Sequence, residues 1–282
     1  MPQKAYSIGV ATLSGLHGGK MADSKSRYAA EFEPIRDKIK AITPDGYDEF
    51  VFRHPMSFYR QRVEMMGATG FNRVLDAGQG FGQWAIALAE KNGAVTGVDH
   101  GAAMCGVANV LIDHYKVKNF TVVQDSLNNA EKLFKPQSFD MIWCWGVIMF
   151  TQRSVVMAAF NRLLAPGGKL FFGSVNTPSR WAYKYAKGRW ERMNNPHFFE
   201  ACRKGMRGRD NEDGVNAFDF GSAERIGKRY GFELELIGYD GTIDVSGQKR
   251  RLKFERLPFN ACENIEIIYR KTAELPPPGS AS

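Results

Sequence analysis

Residues 74–84 read VLDAGQGFGQW, and this stretch limits the fold more than any other. Two apolar residues lead into Asp76, and glycines follow at positions 78, 80 and 82. Glycine tolerates positive φ and lets a ligand approach the backbone closely. A glycine run between a short apolar strand and a helix is the turn that α/β proteins set against nucleotide-like ligands. The order here is Gly-x-Gly-x-Gly. The dinucleotide pattern has its third glycine one place later, where this chain has Gln83. No Gly-Lys-Ser/Thr follows, so the phosphate-binding P-loop is excluded as well.

The surrounding pattern predicts a sheet to carry that turn. RVLDAG, AVTGVD, FTVVQD, FDMIWCWGVI and KLFFGSV read as five strands, separated by helical segments such as GQWAIALAEKNG, GAAMCGVANVLIDHY and SVVMAAFNRLL. The fourth is apolar almost throughout, as a strand covered on both faces should be. SAERIGKRYG then reads as a helix, and FELELIG and NIEIIYRK as two last strands. Alternation of this kind predicts an α/β fold, Rossmann-like, with a seven-stranded, mostly parallel sheet and helices on both faces. The helical stretches 28–42 and 55–67, together with a long insertion after the fifth strand, predict a helical lid. The expected organisation is a mobile arm over 1–27, lid helices over 28–68, a ligand-binding core over 69–175 and a lid insertion over 176–221. The rest of the core follows over 222–272, with a flexible tail over 273–282.

A net charge of +8 suits an anionic partner. No recognised RNA module accompanies the core, so nucleic acid is not the expected partner. Cys105, Cys144, Cys202 and Cys262 form no CxxC pair and no metal-ligand spacing with the five histidines. That predicts a reduced, cytoplasmic protein with no metal site. No apolar run reaches the roughly 18 residues of a membrane span, and glycine and serine interrupt the weakly apolar AYSIGVATLSGL near the N-terminus.

With these features in register, the chain resembles the class I S-adenosylmethionine-dependent methyltransferases. VLDAGQGFG is similar to their first motif, Asp99 in VTGVDHG ends the second strand, Asp125 in VVQDS ends the third, and RLLAPGGKLFF is similar to the run into strand five. The likeness covers residues 70–175 well and 222–270 by pattern only. It implies S-adenosyl-L-methionine as cofactor. Gly78, Gly80 and Gly82 would lie against its amino-acid part, and Asp76 would orient the methionine ammonium. Asp99 would accept from the ribose hydroxyls. Asp125 would meet the adenine amino group, with backbone N–H groups near Ser126 on a ring nitrogen and His100 flanking the base. Trp143, in the stretch that ends strand four, would line the methionine end. Each has a plainer alternative: a turn for Asp99, a cap for Asp125, core packing for Trp143 and Trp145, a surface position for His100.

The acceptor is less legible. CWGVIMF stands where base- and amide-modifying relatives carry an NPPY-like signature, and Cys144 sits between two tryptophans as an inert core thiol would. Residues 176–221 interleave aromatic and basic side chains, so Trp181, Tyr185 and Arg189 are candidate acceptor contacts. Tyr28, Tyr59 and Arg60 are candidates from the N-terminal helices, with helix-to-core packing as their alternative. His197 in NNPHFF is the candidate general base and His54 in FRHP its rival. The expected activity is O-methylation of a small or medium-sized acceptor, such as a glycan or specialised metabolite, with an anionic acceptor suited to the basic charge. The alternatives are N-methylation of a small amine, RNA or protein methylation, and an inactive cofactor-binding partner subunit. A homodimer stays open.

Overall fold

The computed structural model describes residues 29–43, 52, 54–175, 220–250 and 264–275. At its centre β1 (Arg73–Ala77) is buried from Val74 onward, as its apolar run requires. β2 (Ala94–Asp99) and β4 (Phe139–Trp145) flank it, both parallel. β3 (Phe120–Gln124) lies outside β2, and β5 (Leu164–Val175) outside β4, again parallel. β7 (Asn264–Lys271) then runs antiparallel to β5, and β6 (Phe232–Tyr239) antiparallel to β7. The seven strands stand in the order β3-β2-β1-β4-β5-β7-β6. The mostly parallel sheet read from the sequence is therefore present, and β7 is its antiparallel exception. The order reverses between β1 and β4, which opens a crevice at their carboxyl ends.

Side-chain alternation splits the core in two. Val74, Met141, Trp143, Phe171 and Ile268 face one layer, while Leu75, Ile142, Cys144, Phe172 and Ile267 face the other. The first layer packs under α1 (Arg36–Ile42), α2 (Met56–Met65), α3 (Gln83–Ala89) and α4 (Ala102–Tyr115). The second packs under α5 (Ala130–Leu133), α6 (Arg153–Leu163) and α7 (Phe220–Arg229). Each layer buries the apolar stripe of its helices, the dominant stabilising term.

Element ends differ from the sequence reading for local reasons. α3 stops at Ala89, before Gly93, because the Asn92 amide donates to the carbonyls of Leu88 and Ala68 at 2.9 and 3.0 Å, satisfying carbonyls that the helix end would leave open. The stretch 28–42 begins as a 3-10 helix, Ala30–Ile35, with Pro34 inside it. β4 ends at Trp145 because Gly146 takes φ +71° and gives its N–H to the Gly173 carbonyl at 2.9 Å. β5 begins at Leu164 rather than Lys169, with a register shift between its pairings to Phe139 and Met141.

The N-terminal helices are tied to the core by charge. Arg60 of α2 makes a two-pronged pair with Glu90, both contacts at 2.7 Å. The Tyr115 hydroxyl of α4 donates to Glu31 at 3.1 Å, and the other Glu31 oxygen accepts the Met56 N–H at the start of α2. Arg62, fully buried, pairs with the equally buried Glu266 of β7 and donates to the Ile243 carbonyl at 3.1 Å. Burial pulls the Arg62 guanidinium down to about 10, against the opposing pull of Asp240 and Asp244, so it stays charged near neutrality.

Candidate functional site

The glycine turn leaves β1 at the crevice. Gly78, Gly80 and Gly82 take φ of +79°, +54° and +90°, a region that residues with a Cβ rarely enter. A Cβ at Gly78 would meet Val147 at 2.5 Å, so glycine there serves close packing as well as conformation. The N–H groups of Gly78 and Gln79 both donate to the Val98 carbonyl, at 2.8 and 3.1 Å, which sews the turn to β2. Around Gly80 a Cβ would meet nothing within 4 Å, so the tip of the turn faces open space.

Asp99 holds that tip. One carboxylate oxygen accepts from the Gly80 N–H at 3.0 Å and the other from the Gly101 N–H at 2.8 Å. It is a brace between the turn and the start of α4 rather than a residue serving one local turn. Each oxygen keeps a further lone pair, so hydroxyl donors can still be received. Asp125 follows from β3, its own N–H donating to the Asp99 carbonyl at 3.0 Å. Its carboxylate accepts from the Ser126 N–H at 2.6 Å and from the Asn129 amide at 2.8 Å. Ser126 in turn caps the 3-10 turn Leu127–Asn129 through its hydroxyl. One Asp125 oxygen is thus turned to the segment that follows β3, and the Ser126 N–H donates to it. His100 has a side chain 85% exposed, with Nδ1 3.6 Å from an Asp99 oxygen.

Asp76 is the unusual group. It is 1% exposed, and Oδ2 has no hydrogen-bond partner among the described residues. Burial, helped by the charge of Asp99, pushes its carboxyl up to about 8. A buried carboxylate without a donor is costly, and a ligand ammonium is the group that would satisfy it. A turn open at Gly80, a brace with spare lone pairs and a carboxylate lacking its donor together fit a ligand with an amino-acid end and a diol.

The other candidates divide. Trp143 lies fully buried, stacked on Trp145 with centroids 5.0 Å apart and on Phe171 at 5.9 Å. Tyr59 is 6% exposed and packs edge-on against Trp84 at 4.8 Å, the packing role that its helix also allowed. His54 stacks on Phe58 at 4.5 Å. Burial and the nearby Asp76 push the Cys144 thiol up, so it is no nucleophile near neutrality. Tyr28, Trp181, Tyr185, Arg189 and His197 lie outside the described residues. Sequence reasoning missed Trp84, whose ring lies 5.2 Å from Trp143 and 5.3 Å from Trp145. It also missed Arg62 and Glu266. A lone acid inside the apolar run NIEIIY was the available signal, because a buried charge needs a partner.

Comparison with known proteins agrees with this geometry. A family model described as a methyltransferase domain matches residues 74–168, from the start of the glycine motif into the first part of β5. A ubiquinone biosynthesis O-methyltransferase of Pseudomonas fluorescens (strain Pf-5) is 32% identical over 161 residues, covering 56% of this chain and 60% of the relative. Its counterpart in strain Pf0-1 is 30% identical over the same length. The chain thus spans about 60% of the curated relatives that it matches. Among solved structures, a SAM-dependent methyltransferase from Methanosarcina mazei superposes with a TM-score of 0.51 at 18% identity, over 78% of this chain and 99% of that one. The 1,6-didemethyltoxoflavin-N1-methyltransferase of Burkholderia thailandensis, solved with bound 1,6-didemethyltoxoflavin and S-adenosylhomocysteine, gives 0.51 at 16% identity, over 89% and 94%. The likeness to these two structures is one of fold. With the glycine motif, the acidic strand ends and the matched region in one register, the chain carries a methyltransferase domain over residues 74–168, and its fold is that of the S-adenosylmethionine-dependent methyltransferases it superposes on.

Proposed function

We propose that the protein methylates an oxygen of a small or medium-sized acceptor, a hydroxylated specialised metabolite ahead of a glycan. The observation that carries the reading is the donor-less carboxylate of Asp76 behind a Gly-x-Gly-x-Gly turn braced by Asp99. When bound, S-adenosylmethionine supplies an electrophilic methyl on a sulfonium. Asp76 would hold the amino-acid ammonium, the glycine turn would admit the chain beside it, and Asp99 would receive the ribose hydroxyls. Much of the rate then comes from aligning the acceptor oxygen with the methyl. A hydroxyl acceptor also gains from a base that takes its proton, and His197 is our first choice, with His54 its rival. Oxygen is favoured over nitrogen because the matched curated relatives are named O-methyltransferases. The aromatic and basic residues of 176–221, Trp181, Tyr185 and Arg189 among them, would select a planar or anionic acceptor. We further propose a cytoplasmic setting, in keeping with four cysteines that lack pairing motifs.

The test is release of S-adenosylhomocysteine from S-adenosylmethionine with a panel of phenols, sugar alcohols and amines of matched size. Turnover on hydroxyl compounds is expected. Turnover confined to amines would overturn the oxygen assignment, and none with any acceptor would favour the partner-subunit alternative.

A further inference from the structure

We propose that Gln83 and Trp143 are the carboxylate-binding residues for the cofactor's amino-acid tail, opposite Asp76, which takes its ammonium. The inference rests on the cofactor reading above and extends it to two residues that the glycine motif does not contain. An amino-acid tail carries both charges, and a site that meets only the ammonium leaves a carboxylate to be desolvated without donors. The structure holds two donors in want of an acceptor. The Gln83 side-chain NH₂ and the Trp143 indole N–H are both buried, and neither has a hydrogen-bond partner among the described residues. The residues themselves are 4% and 0% exposed. An indole nitrogen can only donate. Most buried polar side-chain atoms are satisfied, so each of these orphaned donors calls for an explanation.

Their placement suits the role. Trp143 is the register partner of Asp76 across the β1–β4 pairing, so both side chains rise from the same face of the sheet on adjacent strands. Gln83 directly follows the last glycine of the turn, and its neighbour Trp84 lies 5.2 Å from the Trp143 ring. Asp76 Oδ2 on β1, the Trp143 indole N–H on the neighbouring β4 and the Gln83 side-chain NH₂ just past the turn thus all lack partners, as does Gln79 Oε1 within the turn. The same contact explains why position 83 carries Gln where a dinucleotide turn would carry Gly. Core packing alone explains the stacked Trp143 ring but not its indole N–H, which Phe would spare.

The experiment compares S-adenosylhomocysteine with 5′-methylthioadenosine, which keeps the nucleoside and sulfur but lacks the amino-acid tail. Both are titrated calorimetrically into the full chain and its Gln83→Met, Gln83→Glu and Trp143→Phe variants. Gln83→Met and Trp143→Phe should each weaken S-adenosylhomocysteine on the order of ten- to hundredfold, the range for losing a hydrogen bond to a charged group. Methylthioadenosine affinity should stay within about twofold. Gln83→Glu, equal in size but negative, should lose more S-adenosylhomocysteine affinity than Gln83→Met. Unchanged S-adenosylhomocysteine affinity in Gln83→Met and Trp143→Phe would overturn the proposal, and so would a parallel loss for both ligands, which marks a structural role. Binding of neither ligand by the unmodified protein would overturn the underlying cofactor reading, and this inference with it.

Discussion

At Asp76, folding and binding make opposite demands. The folded chain raises its carboxyl to about 8, above the ordinary 3.8. Between those values the folded state holds a proton that the unfolded state has released, so this group's contribution to stability falls as pH rises through that window. Asp76→Asn removes the titration. We expect the ligand-free variant to melt above the parent near pH 8, with the gap closing towards pH 4, as followed by circular dichroism. The same variant should bind S-adenosylhomocysteine at least about tenfold more weakly, because a neutral amide cannot match an ammonium. For the parent, affinity should rise between about pH 6 and pH 8 as the carboxylate ionises. Asp99→Ala should cost roughly 1.5–3 kcal/mol of S-adenosylhomocysteine affinity by calorimetry, since it takes away the brace at Gly80 and Gly101 along with an acceptor. At this scale the sequence showed which acids end strands. It did not show that one Asp125 oxygen receives both Ser126 and Asn129, since that depends on the turn the backbone takes after β3.

The strands and helices were legible because their patterns are local. Alternation along a strand and the 3.6 period of a helix need only neighbouring residues. How α2 meets the sheet is not local. Its Arg62 reaches Glu266 because β7 inserts between β5 and β6, which brings a late segment beside an early helix. Glu266 also accepts the N–H groups of Gly241 and Ile243, so the pair locks the turn after β6 against α2. Arg62 lies 5.7 Å from the Trp145 ring, and Gly173 lies against the same ring, where a Cβ would approach the indole to 2.6 Å. Removing one partner of a buried pair strands the other. Arg62→Met should therefore destabilise the protein by about 3–5 kcal/mol in urea unfolding, and Arg62→Met with Glu266→Gln should recover part of the loss. Full stability in Arg62→Met would show that the guanidinium contributes nothing net.

For the whole molecule, a ligand that binds only the folded chain raises its melting temperature. S-adenosylhomocysteine at about a hundred times its Kd should add roughly 2.7 kcal/mol, whereas NAD at the same concentration should leave the melting curve in place. If the acceptor is a hydroxyl and His197 the base, His197→Ala should lower kcat by roughly 10²–10⁴-fold with cofactor affinity little changed. Full activity would pass the role to His54 or to an amine acceptor that needs only alignment. The sequence by itself determined the α/β class, the glycine turn and the acids that end β2 and β3, because each is written in contiguous residues under local rules. Only the tertiary structure decided that Asp99 braces the turn, that Trp143 lies beside Asp76 with its indole N–H unmatched, and that Arg62 answers Glu266. Those relations depend on which strands become neighbours. Strand order is settled by burying two apolar layers around one sheet, a global balance that no single stretch of the chain contains.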